Sequence, residues 1–270
     1  MLKHRLIPNI ILNKGMVVQS KNFNHTNIIG NAITAVDFFN SWAVDEMLIL
    51  DVSRNKPDKA KFIKIINGLS NRCFIPLSIG GWIENIDDIR NLLNAGADKV
   101  VINTKAVENP DFIKDSSKIF GSQCIVVSID VKINSSRQYE VLIDRGRKFT
   151  SIHPVEWSKE VEKLGAGEIL LTSIDREGTM NGYDLELLQQ VCKSVKIPVI
   201  AFGGVGKWQD FVDGIKDGKA DAVSAANIFH YTEHSTFKAK EHMYKSGLNV
   251  RKPSFYKVPY PRRPKYEDIY

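Results

Sequence analysis

The stretch "IPLSIGG" at residues 75–81 returns as "IPVIAFGG" at residues 197–204. Each is a short apolar run opened by Ile-Pro and closed by two glycines, and Gly80-Gly81 lies 123 residues before Gly203-Gly204. The likeness continues in register. "GADKVV" (96–101) matches "KADAVS" (219–224) at the same offset, and "DEMLILDVS" (45–53) matches "GEILLTSID" (167–175) at 122. Three strand-like matches at nearly one spacing indicate a duplicated unit about half the length of the chain.

Outward from that pair, eight strand candidates emerge: 6–12, 46–52, 75–80, 99–103, 124–131, 168–174, 197–202 and 221–226. Most are near-continuously apolar. Stretches such as "IENIDDIRNLLNAG" and "KWQDFVDGIKDG" lie between them, with apolar residues at three- and four-residue intervals. Apolar strands alternating with amphipathic helices predict a parallel sheet covered on both faces. Eight such units predict an α/β fold with a single (β/α)8 TIM barrel built from two duplicated half-barrels. Its active face would lie at the strands' C-terminal ends. The barrel is assigned to residues 1–250. Residues 251–270 form a basic, Pro/Tyr-rich C-terminal extension with six Lys/Arg against two acids.

Composition narrows the function. No apolar run is long enough to span a bilayer, and the N-terminus lacks a signal peptide's apolar length and cleavage site, so a cytoplasmic protein without membrane contact is expected. Cys73, Cys124 and Cys192 are widely spaced and odd in number, which points to neither disulfides nor a zinc site. Of the net charge of +6, the last twenty residues supply +4, so the body has no nucleic-acid footprint. No motif calls for a metal or cofactor, and none is assigned.

Three groups of residues carry chemistry. Gly80-Gly81 and Gly203-Gly204 leave backbone N–H groups bare after strands three and seven, while Asn103-Thr104 and Ser224 with Asn227 add neutral donors after strands four and eight. Such paired sites suit a ligand with a phosphate at each end; the alternative is that the glycines only form tight turns. Asp51, Asp130 and Asp175 end apolar runs. Asp130 is placed to act as a general acid or base, unless it merely pairs with Lys132, and Asp175 is the better candidate for organising its own turn. Arg5, Glu46, Lys99 and Glu168 begin strands and would form a neutral salt-bridged plug at the opposite end, where stability is the usual role.

The segments "GADKVVINTKAVENP", "GSQCIVVSID", "GAGEILLTSIDREGT" and "GLNVR" resemble the HisF family, the cyclase subunit of imidazole glycerol phosphate synthase, over about residues 1–251. The resemblance implies a bis-phosphate ligand on the upper face and a HisH-like glutaminase docked below. Ammonia would enter through a gate at Arg5, Glu46, Lys99 and Glu168, with Asp98 at the glutaminase interface. Asp51, Asp175 and Glu177 would be carboxylates on the substrate side. The chain departs from the family where chemistry is expected. Asn9-Ile10-Ile11-Leu12 stands for Cys-Leu-Asp-Val, so Ile11 replaces one of two catalytic aspartates and Asp130 retains the other. Gln19 replaces a lysine, Trp82 the last of three glycines, and Glu177 the second aspartate of "DRDG". An intact gate with an altered catalytic end resembles the HisF-like WbuZ proteins of saccharide loci. That likeness implies ammonia delivery for amidation of an N-acetyl sugar, acetamido to acetamidino, with an N-acetyl sugar amidotransferase as a further partner. The alternatives are a genuine cyclase of histidine biosynthesis and a phosphosugar-binding module. The tail is read either as a segment that docks on a third protein or as a disordered or self-packed one.

Overall fold

The computed structural model describes residues 3–42, 44–55 and 58–255. The strands are β1 (Arg5–Asn13), β2 (Met16–Lys21), β3 (Asn24–Asn31), β4 (Met47–Asp51), β5 (Leu77–Gly80), β6 (Lys99–Ile102), β7 (Ile125–Ile133), β8 (Tyr139–Ile143), β9 (Lys148–Phe149), β10 (Glu168–Ser173), β11 (Val199–Phe202) and β12 (Ala222–Ala225). The helices are α1 (Ala32–Ser41), α2 (Lys59–Ser70), α3 (Ile86–Asn94), α4 (Thr104–Glu108), α5 (Asp111–Phe120), α6 (Pro154–Lys163), α7 (Leu185–Cys192), α8 (Trp208–Lys216) and α9 (Ser235–Lys245).

Eight parallel strands run in the order β1, β4, β5, β6, β7, β10, β11, β12, and the pairing of β12 with β1 closes the ring. The (β/α)8 barrel expected from sequence is the fold, and all eight strand candidates fall on barrel strands. Alternation along β1 gives the layering. Leu6, Ile10 and Leu12 pack outward with the helices, while Ile7 and Ile11 share the barrel lumen with Leu48, Val101, Val126, Leu170 and Ile200. Each such fully buried aliphatic side chain contributes about 1.5–3 kcal/mol.

The sequence repeat has a physical basis in a clamp at the strand starts. The Asp98 carboxylate accepts the Leu77 N–H at 2.8 Å while its own N–H donates to the Leu77 carbonyl. Asp221 does the same with Val199 at 3.0 Å, and Asp45 with Leu6 at 3.0 Å. A carboxylate there satisfies a strand-end N–H and fixes the stagger of adjacent strands.

Two features went unread in the sequence. Antiparallel hairpins rise from the active end: β2–β3 from β1, and β8–β9 from β7. β2, β3 and β8 are longer than barrel strands such as β5 and β12, but β3 and β9 are largely exposed and polar residues interrupt β2 and β8, so they lack the apolar runs that mark the barrel strands. Helices α2, α4 and α9 were also missed: α2 does carry an apolar stripe at Phe62, Ile65, Ile66 and Leu69, α4 is only five residues long, and charged residues dilute the stripe of α9. The chain beyond Phe255, including most of the basic tail, lies outside the described residues.

Candidate functional site

At the lower end, the four charges predicted to cluster form a closed alternating ring. Arg5 reaches Glu46 at 2.6 Å and Glu168 at 3.0 Å, and Lys99 reaches both carboxylates at 3.0 Å. Ser78 donates to the second oxygen of Glu46 at 2.7 Å. Burial works against the charge of both Arg5 and Glu46, but the opposite charges outweigh it. Arg5 is held above its ordinary pKa, and Glu46 below its own. The ring is net neutral and spans the floor of the lumen. Asp98 is exposed beside it, engaged in the Leu77 clamp.

The upper end holds a cavity of about 730 Å³, lined by residues from the strand ends and both hairpins. Asp130 is 7% exposed within it. Asn103 donates to its carboxylate at 2.7 Å, and the hydroxyls of Ser128 and Thr172 donate as well. Burial nevertheless dominates these bonds and pushes the carboxyl up to about 6, with the nearby charge of Glu177 adding to it. Sequence left open a pairing of Asp130 with Lys132; the partners found are neutral. An acid poised near neutrality in a cavity can both give and take a proton. Ile11 lines the same cavity, so the position expected to hold the second acid presents a methyl-bearing side chain.

The remaining carboxylates divide. Glu177 lines the cavity; Ser20 donates to it at 2.8 Å and the Phe23 N–H at 3.0 Å, while burial raises its pKa. Asp51 also lines it and is raised by burial, with bonds from Ser53 and the Trp82 indole partly offsetting that. Asp175 does not line the cavity. Its carboxylate accepts the Ile133 N–H at 2.9 Å, which ties the β10 end to β7. Of this pair, Glu177, two residues later, faces the cavity and Asp175 does not.

Gly80, Gly81, Asn103 and Thr104 line the cavity, whereas Gly203, Gly204, Ser224 and Asn227 do not. Of the second group, Asn227 donates its amide to the Ser20 carbonyl of β2 at 2.8 Å, while Gly203 and Gly204 pack against the segment from Ser173 to Gly182. Each Gly-Gly turn has a steric reason. A Cβ on Gly81 would meet the Asp51 Cβ at 2.8 Å, and one on Gly204, at φ +108°, the Gly182 carbonyl oxygen at 2.1 Å. Gly204→Ala is therefore expected to lower stability by more than about 1 kcal/mol in a thermal melt. Just ahead of the following helices, the Glu84 N–H donates to Asp88, and the Gly206 and Lys207 N–H groups donate to Asp210. The short helical turns at Thr104–Glu108 and Asn227–His230 have no side-chain cap.

Arg145, at the β8–β9 turn, was not singled out from sequence. Its guanidinium lies 4.5 Å from the centre of the Trp82 ring and donates to the Arg54 carbonyl at 3.0 Å. Burial lowers its pKa, with Asp144 and Asp51 opposing. The adjacent Gly146 sits so close to Phe23 that a Cβ there would lie 2.9 Å from the ring, so the two hairpin tips meet over the cavity. The only sequence signal was the dense "DRGR" turn. The Trp82 substitution thus brings a stacked cation to the strand-three side of the cavity.

With this geometry in place, the comparisons with known proteins are informative. The family model described as "Histidine biosynthesis protein" matches residues 5–235. The chain is 47% identical over 251 residues to the "Putative imidazole glycerol phosphate synthase subunit hisF2" of Vibrio vulnificus, covering 93% of this chain and 92% of that protein. It is 43% identical over 252 residues to the "Imidazole glycerol phosphate synthase subunit HisF" of Clostridium botulinum, covering 93% of this chain and all of that protein. Among the described residues no helix is long and apolar enough to cross a membrane. The barrel, its floor ring and these matches together place the chain in the HisF family of histidine biosynthesis proteins.

Proposed function

We propose that this chain is the ammonia-receiving barrel subunit of an imidazole glycerol phosphate synthase-type assembly, working with a HisH-like glutaminase docked on the floor. The observation that carries this reading is the closed ring of Arg5, Glu46, Lys99 and Glu168. Four charges gathered across the lumen are costly to bury, and hydrophobic residues would close the floor at least as stably. A ring that opens by breaking ion pairs gives a polar port in the right place. Ammonia admitted there reaches Asp130 and a phosphorylated acceptor in the upper cavity. Gly80, Gly81, Asn103 and Thr104 hold one end of that acceptor. Gly203, Gly204 and Asn227 hold the other once the β2–β3 hairpin lifts; Ser224, fully buried in the lumen level with Ile7, takes no part in it.

The relatives' names support imidazole glycerol phosphate formation as the chemistry at that cavity, with Asp130 as acid and base. A specific observation favours a second reading: Ile11 occupies the cavity wall where a second acid belongs, and it transfers no proton. In that reading the ammonia passes through to an N-acetyl sugar held by a partner amidotransferase in saccharide biosynthesis. The test is turnover of the phosphoribulosyl substrate with ammonium chloride and no glutaminase. Imidazole glycerol phosphate formation that is lost in Asp130→Asn supports the first reading. No product, with an authentic HisF active alongside, supports the second.

A further inference from the structure

The barrel lumen is apolar between its two polar ends except at Asn9 and Ser224, on the adjacent strands β1 and β12 and one lumen-facing position apart. On β1 the lumen-facing residues alternate as Arg5, Ile7, Asn9 and Ile11, from the floor ring to the cavity. Ile7 is level with Ser224 on β12, and Asn9 is level with Leu48 on β4. Ala222 faces the lumen, so the two-residue period places Ser224 there too. Asn9 is 1% exposed and Ser224 0%. Both atoms of the Asn9 amide and the Ser224 hydroxyl are buried without a hydrogen-bond partner. Polar groups above and below are satisfied: Ser78 bonds Glu46, and Ser128 bonds Asp130. Buried amides and hydroxyls are rarely left unpaired, because each lost bond costs free energy.

We propose that Asn9 and Ser224 form a transit site for one molecule of neutral ammonia halfway up the barrel. The inference rests on the reading that ammonia crosses the lumen. An amide offers one donor group and one acceptor, and a hydroxyl offers either. The guest that completes both must donate and accept through a single small centre, which describes ammonia and water. The surrounding Ile7, Leu48, Leu170 and Ile200 disfavour an ammonium ion, whose charge they leave unsolvated.

The first test follows the Asn9 side-chain amide signal by NMR in the isotope-labelled full chain. It is titrated with ammonium chloride in alkaline buffer, and with sodium chloride as control. A saturating shift with ammonium alone, abolished by Ser224→Ala, is expected. No shift, or an equal shift with sodium chloride, overturns the site. The second test compares glutamine-driven with ammonium-driven turnover in the complex with the glutaminase. Asn9→Leu is expected to lower that ratio several-fold, and an unchanged ratio reduces the site to a structural water and overturns the transit role. Should neither ammonium nor glutamine yield product, the functional reading fails, while the NMR titration still decides the site.

Discussion

Asp130→Asn is expected to make the folded protein more stable at neutral pH. Burial holds the Asp130 carboxyl at about 6, against 3.8 in its ordinary state. Below about pH 4 the group is protonated in the folded and unfolded chains alike and has no effect on stability. Between about pH 4 and pH 6 the unfolded chain ionises while the folded chain keeps its proton, so stability falls as pH rises. Above that window the loss is complete, at about 3 kcal/mol. An amide keeps the shape, and its oxygen still accepts from Asn103, but it carries no charge to desolvate. Urea denaturation is therefore expected to give a gain of up to about 3 kcal/mol at pH 7.5 and none near pH 4. Equal stability of the two proteins at pH 7.5 would show that Asp130 is not held in a desolvated site. If the chain turns over with ammonium, the same variant is expected to lose a factor of about 10²–10⁴.

Lys99→Met is the second large effect. The change leaves Glu46 and Glu168, which are 3% and 13% exposed at their side chains, facing Arg5 alone. Removing one partner from buried ion pairs typically costs roughly 3–5 kcal/mol, since an uncompensated charge remains. Arg5 and Ser78 still contact Glu46, so the lower figure of about 3 kcal/mol is expected in a denaturation curve at pH 7. Replacing all four ring residues together with apolar ones is expected to restore most of that stability. If the ring gates ammonia as proposed, glutamine-driven turnover in the complex is expected to fall relative to ammonium-driven turnover. A Lys99→Met protein as stable as its parent, with an unchanged ratio, would remove the ring from both roles.

Asp130 and the ring sit at opposite ends of one lumen and differ in what holds them. The ring charges have partners of opposite sign, so burial is offset. Asp130 has only neutral donors, so burial wins. That difference gives the ring charges stable ionisation and leaves Asp130 able to titrate near neutrality. It also explains how Ile11 leaves the fold intact: a lumen already lined by aliphatic residues accommodates one more.

The eight barrel strands, the half-barrel repeat and the membership of the floor ring were legible because each leaves a local or periodic trace. A strand buried on both faces must be apolar along its length, and a charge placed just before such a run must lie at the strand's lower end. The strand-start aspartates recur at 98 and 221 because both half-barrels need the same clamp. Other features depend on segments distant in the chain. That Glu177 rather than Asp175 faces the cavity follows from where β10 meets β7 and the first hairpin. That Gly81 must be glycine follows from Asp51 packing against it, thirty residues earlier. The stacking of Arg145 on Trp82 arises because β5, β6 and β7 lie side by side, and the unpaired Asn9 amide and Ser224 hydroxyl share one lumen only when the barrel closes and brings β12 against β1. Side-chain type and spacing determined which barrel this is. The burial of each charge, and therefore its proton affinity and role, was set by which neighbours the closed barrel placed around it.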